Sequence, residues 1–148
     1  MNARACLIGI ILLSWLFCSC QAPPAKAKVI EVIDGDTITI EGGYRVRYIG
    51  VDTPEIHPRL EAYGIEAWQA NRQLVEGKRV RLERDVSETD RYNRLLCYVY
   101  VDDIFVNAEL VRMGMTRAKA YPPDTRYQDY LEKMELEARL AGRGMWAR

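Results

Sequence analysis

At 148 residues the chain is long enough for one compact core and too short for two. Its 21 basic and 21 acidic residues cancel, which argues against a domain that coats nucleic acid by bulk charge. A nucleic-acid enzyme stays open, because a hydrolase must release its product and a local cluster of Arg can replace net charge.

Residues 1–20 differ from the rest. Arg4 gives a positive start, and an apolar run of about a dozen residues follows from Cys6 to Phe17. This reads as a secretory signal peptide in preference to a buried N-terminal helix, and it falls short of the ~20 residues of a membrane span. Phe17-Cys18-Ser19-Cys20 resembles a bacterial lipoprotein processing site with Cys20 as the lipidated residue. The expected mature protein is therefore exported, and either released or anchored to a membrane through Cys20. Removing the segment takes away Arg4 and no acid, leaving 20 basic against 21 acidic residues. Cys6, Cys18 and Cys20 all sit in this segment, so Cys97 stands alone in the folded part, which argues against a disulfide framework.

Residues 21–28 are rich in Pro, Ala and Lys and read as a linker. Residues 29–148 read as the folded domain. Residues 29–33 are a β-branched run, 37–41 alternate with period two, Gly42-Gly43 signals a hairpin, and 44–49 alternate again. In that third strand Arg45 and Arg47 share one face, opposite Val46. Tyr63, Ala67, Ala70 and Leu74 are spaced for a helix that Gly77 ends. Strands are expected over 79–84 and 95–101, with Asp102-Asp103 turning into Ile104-Phe105. Asn107 as N-cap and Gly114 as the residue after the last turn bound a short helix. Tyr127, Leu131, Met134, Ala138 and Ala141 form the apolar stripe of a last, charged helix, with Trp146 expected to plug the core. Five strands and about three helices fit an α+β fold, a five-stranded OB-type β-barrel; the pattern alone also allows another α+β arrangement.

Three clusters hold charges that a bland fold does not require. Asp34-Gly35-Asp36-Thr37 is, taken by itself, a turn first and a site second. In Arg47-Tyr48-Ile49-Gly50-Val51-Asp52-Thr53-Pro54-Glu55 a strand Arg leads into a loop with two acids, stiffened by Pro54. Asp90-Arg91-Tyr92-Asn93-Arg94 is a polar turn before an apolar strand. In this order and spacing, the three clusters resemble the signature segments of the staphylococcal nuclease (thermonuclease) family. The likeness continues through Tyr98-Val99-Tyr100-Val101-Asp102, Val106-Asn107 and Leu110-Val111-Arg112-Met113-Gly114, and covers roughly residues 29–146.

The resemblance implies a Ca²⁺-dependent nuclease that cleaves DNA and RNA, prefers single strands and leaves 3′-phosphate ends. It implies Asp36 and Asp52 as calcium-binding carboxylates, with Thr53 offering a backbone carbonyl. It implies Glu55 as general base, Arg47 and Arg94 as the arginines on the scissile phosphate, and Tyr92 beside the bound nucleotide. The chemistry agrees: Ca²⁺ takes oxygen ligands in an irregular shell, and the planar fork of Arg donates two parallel bonds to a phosphate. Asp34 is expected to brace the turn, His57 to be exposed and incidental, and Cys97 to be a buried small residue.

Three departures bear on the substrate. Asn93 stands where the family often has Gly, but Asn tolerates a left-handed turn. The 56–63 loop is short. Lys119-Ala120-Tyr121-Pro122-Pro123 replaces a segment with two stacking tyrosines, leaving Tyr121 as the candidate base platform. The rival reading is a non-catalytic nucleic-acid-binding OB module, which normally lacks an Arg or the Glu at these positions; here all are present. No feature indicates a protein partner, so a monomer is expected.

Overall fold

A computed structural model describes residues 23–147. Strand β1 (Lys26–Val32) pairs antiparallel with β2 (Thr37–Ile40), and β2 with β3 (Arg45–Tyr48). The first half of β1 pairs antiparallel with β5 (Arg79–Glu83), and β5 with β6 (Leu95–Val101). Strand β6 then runs parallel to β3, with Val46 opposite Leu95 and Arg47 opposite Leu96, and closes the ring. The result is the expected five-stranded α+β barrel with three helices. A register shift between Val29 and Glu31 lets β1 turn the corner between its two partners.

Between β3 and β5 come β4 (Val51–Asp52) and helix α1 (Gly64–Val75). After β6, the short β7 (Ile104–Phe105) leads into α2 (Val106–Arg112). Strand β8 (Arg117–Ala118) returns to pair with β4, α3 (Gln128–Leu140) packs on α2, and a 3₁₀ turn covers Gly144–Trp146. Val29, Ile38, Val46, Val80, Val99 and Leu110 fill the barrel, and Leu131 and Met134 of α3 complete the same core. Cys97 is buried in it as expected, and burial pushes its thiol up to about 11, away from reactivity.

Three expectations are corrected. Strand β1 begins at Lys26, inside the segment read as a linker: Ala27 is buried between the outward Lys26 and Lys28, and all three pair with β5. That alternation is too short to stand out from a Pro/Ala/Lys composition. Asn107 is not a cap. It lies inside α2, fully buried, and its side-chain oxygen accepts from Val99 N at 2.9 Å while its amide donates to Ile49 O at 2.8 Å. Trp146 is not a core plug. It is half-buried, with the Arg139 guanidinium 3.7 Å and that of Arg117 5.7 Å from its ring centre. Residues 1–20, with the signal peptide and Cys20, lie outside the described residues.

Asn107 thus ties β6 to the strand end that leads into the Asp52 loop. Asn107→Ala leaves a buried N–H and a buried carbonyl unpaired. It is expected to cost about 2–4 kcal/mol of stability, measured by urea unfolding.

Candidate active site

The barrel brings the three charged clusters to one edge. Asp36 sits at the mouth of β2, only 6% exposed. Its Oδ1 accepts from the Thr37 hydroxyl at 3.1 Å, and its Oδ2 from Thr53 N at 3.2 Å. The Arg47 Nη1 stands 3.1 Å from the same Oδ2. Burial raises the carboxyl of Asp36 to about 6; Arg47 opposes that shift and Asp34 adds to it. Asp34 plays the bracing role expected of it: its Oδ1 accepts from Asp36 N at 2.9 Å.

Arg47 is held by backbone as well as by charge. Nη1 donates to Tyr48 O at 2.8 Å and Nη2 to Val51 O at 3.0 Å, so the guanidinium is clamped where β3 runs into β4. Arg94 is clamped from the other side by Asp90. Its Nε donates to Asp90 Oδ2 at 2.8 Å, its Nη2 is 2.7 Å from that oxygen, and Nη1 reaches the Thr37 hydroxyl at 3.4 Å. Thr37 and Asp36 therefore link the two guanidinium groups. Asp90 Oδ1 also accepts from the backbone N of Tyr92 and Arg94, closing the turn in which Asn93 takes the left-handed φ of 60°.

The loop after β4 carries the other acids, and two glycines fix its path. A Cβ on Gly35 would lie 2.1 Å from the Thr53 Cγ2, and one on Gly64, at the start of α1, 2.6 Å from the Glu55 carbonyl oxygen. Only bare backbone admits the loop between them. Glu55 is exposed, and its carboxylate has no hydrogen-bond or ion-pair partner among the described residues. Partial burial raises its pKa, and the charge of Asp36 adds to the rise against Arg47. Asp52 is bound on both oxygens, by Lys119 Nζ at 2.9 Å and by the Tyr121 hydroxyl at 3.1 Å. Partial burial alone would raise its pKa, but Lys119 and Tyr121, with Arg47, hold it below the ordinary carboxylate range.

Arg47, Arg94, Tyr92 and Tyr121 line a cleft of about 460 Å³. Tyr92 is 65% exposed at its lip, with Arg91 and Arg94 against its ring. Pro122, Pro123 and Asp124 complete the opposite wall, and the buried Asp124 fastens that wall by accepting from Val86 N and Ser87 N. Sequence reasoning gave no role to Thr37, Asp90, Lys119 or Asp124. Of these, only Asp90 carried a signal: an acid opening a turn, four residues before an Arg.

Among the described residues no three His, Cys, Asp or Glu side chains stand together as a ready-made metal shell. The oxygen donors present would suit a hard cation. Asp36 and Asp52 are carboxylates flanking a backbone loop, the burial cost of Asp36 is not offset by Arg47, and Glu55 feels the charge of both acids.

Sequence comparison relates the chain to known nucleases. Residues 45–148 match the family described as staphylococcal nuclease homologue. The chain is 39% identical over 126 residues to the thermonuclease of Staphylococcus hyicus, covering 81% of this chain and 75% of that protein. It is 36% identical over 156 residues to the thermonuclease of Staphylococcus intermedius, covering 95% and 93%. An uncharacterized endonuclease of Haemophilus influenzae is 31% identical over 151 residues, covering 99% of this chain and 80% of its own length.

A carboxyl raised from 3.8 to about 6 on folding binds its proton more tightly in the native state than in the unfolded one. Asp36 therefore lowers the stability of the metal-free protein as pH climbs from about 4 to about 6. Asp36→Asn is expected to raise the melting temperature in EGTA at pH 7 by roughly 3 °C or more. The gain should vanish toward pH 4, as followed by circular dichroism.

Proposed function

The chain belongs to the staphylococcal nuclease family, and from that premise we propose that it is an exported, Ca²⁺-dependent nuclease. It is a phosphodiester hydrolase, as the thermonucleases and endonucleases among its relatives imply. The finer terms are cleavage of DNA and RNA with a preference for single strands, and 3′-phosphate products. One observation carries the reading. Two clamped guanidinium groups on one cleft are joined through Thr37 and Asp36, and the unpartnered Glu55 carboxylate lies in the same electrostatic field.

Arg47 and Arg94 are assigned to the scissile phosphate. Their backbone and Asp90 contacts orient them before substrate arrives, so little reorganisation is left for the transition state. Glu55 is assigned to the attacking water. The water oxygen bonds to phosphorus, a water proton passes to Glu55, and the bond to the 5′ oxygen breaks as that oxygen takes up a proton. A carboxyl raised above its ordinary value is a better match to a proton held near neutral pH. Asp36, Asp52 and the Thr53 carbonyl are assigned to Ca²⁺, which when bound polarises a phosphate oxygen as a Lewis acid. Tyr92 and Tyr121 offer ring faces to bases at the two sides of the cleft, which favours unpaired strands.

Export, by release or through a lipid on Cys20, rests on the composition of residues 1–20. Mass spectrometry of the mature N-terminus distinguishes the two forms.

Cleavage of single-stranded DNA is expected to cease in excess EGTA and return with Ca²⁺; undiminished cleavage in EGTA would remove calcium from the mechanism. Arg47→Ala, Arg94→Ala and Glu55→Ala are each expected to lower kcat about 100–1000-fold in proteins that still fold by circular dichroism. A near-normal rate in any of them takes that residue out of the catalytic set.

A further inference from the structure

We infer that Lys119 sets the affinity of this site for its divalent cation: its ammonium is the resident counter-ion of Asp52, and the cation binds by displacing it. The inference rests on the assignment of Asp52 to calcium. Lys119 Nζ lies 2.9 Å from Asp52 Oδ2 while the Tyr121 hydroxyl donates to Oδ1 at 3.1 Å, so both carboxylate oxygens are engaged by groups of the chain itself. Among the described residues Asp52 is the one acid within ion-pair distance of Lys119.

The backbone delivers the ammonium to this place. Strands β4 and β8 pair with Asp52 opposite Arg117 and Val51 opposite Ala118, and Lys119 N then donates to Gly50 O at 2.9 Å. The two acids of the site are neutralised in different ways. Asp36 faces a half-buried Arg47 that also donates to two carbonyls and is not free to leave. Asp52 faces a lysine whose side chain is 50% exposed and whose other neighbour is the Tyr121 ring. An exposed pair of this kind is weak and is screened by salt. A dication shared with Asp36 has twice the charge and outcompetes it. The same exchange releases the Tyr121 hydroxyl, so cation occupancy and one wall of the cleft are linked through a single carboxylate.

The test is calorimetric titration of CaCl₂ into the full chain, wild type against Lys119→Met, with melting curves in EGTA and in Ca²⁺. Lys119→Met is expected to bind Ca²⁺ about fivefold more tightly, equivalent to ~1 kcal/mol. Its melting temperature should be slightly lower in EGTA, and its rise on adding Ca²⁺ larger. Lys119→Arg should stay close to wild type. Lys133→Met, which removes one exposed charge from α3, should leave the affinity unchanged. An unaltered Kd in Lys119→Met, an equal gain in Lys133→Met, or an equal melting shift in EGTA and Ca²⁺ overturns the inference. Uptake of Ca²⁺ by Lys119→Met alone supports it in its strongest form. Absence of uptake in both proteins overturns the calcium assignment itself, and the inference with it.

Discussion

The parallel pairing of β3 with β6 is the constraint on which the site depends. It closes the barrel, and its register sets Val46 against Leu95 and Arg47 against Leu96. Arg94, the residue before β6, is thereby brought to the mouth of β2, where Thr37 already pairs with Arg47 across the β2–β3 ladder. One closure thus places two cations 47 positions apart in sequence on the same hydroxyl–carboxylate bridge. Since side chains alternate along a strand, a slip of one residue in this pairing would turn Arg47 away from the cleft or bury a charge in the barrel.

Electrostatics inside this frame explain why so many charges coexist on a neutral protein. Asp36 is almost sealed from water, and its loss of hydration outweighs the attraction of Arg47. Partial burial raises the pKa of Glu55, and the negative charge of Asp36 adds to the rise. A site with this imbalance would gain stability from a bound cation. The hydrophobic core carries the opposing stability: Ile38 and Val46 directly beneath Thr37 and Arg47 are fully buried.

Much of this was legible in the sequence, and the remainder was not for identifiable reasons. Period-two alternation and the Gly42-Gly43 turn marked β2 and β3, and the apolar stripe of α3 marked Leu131, Met134 and Ala138 as buried. The charged clusters stood out as polar turns beside apolar strands, and the resemblance to the family singled out Asp36, Arg47, Asp52 and Arg94 within them. Partnership did not stand out. Asn107 has the composition of a cap, yet it bridges residues 8 and 58 positions away, a role that only tertiary packing assigns. Trp146 is hydrophobic enough to be a core residue, but it lies half-buried with two guanidinium groups against its ring. Ala27 is small, so its burial in β1 left no hydrophobic mark.

The site therefore divides into a fixed half and an adjustable half. Asp36, Thr37, Arg47 and Arg94 stand on or beside barrel strands and are clamped by backbone, by one another and by Asp90. Asp52 and Tyr121 belong to segments held by a two-residue ladder and by the exposed Lys119–Asp52 ion pair. Rigid donors suit the charge that develops on a transferring phosphate, because geometry there must not relax. A loosely held carboxylate suits a ligand that comes and goes, because exchange of one partner for another is cheap at an exposed site. The departure of the Lys119–Pro123 segment from the pattern of the family falls wholly in the adjustable half. With the proposed roles, that departure is expected to tell on how the chain takes up cation and substrate more than on how Arg47 and Arg94 would hold a phosphate.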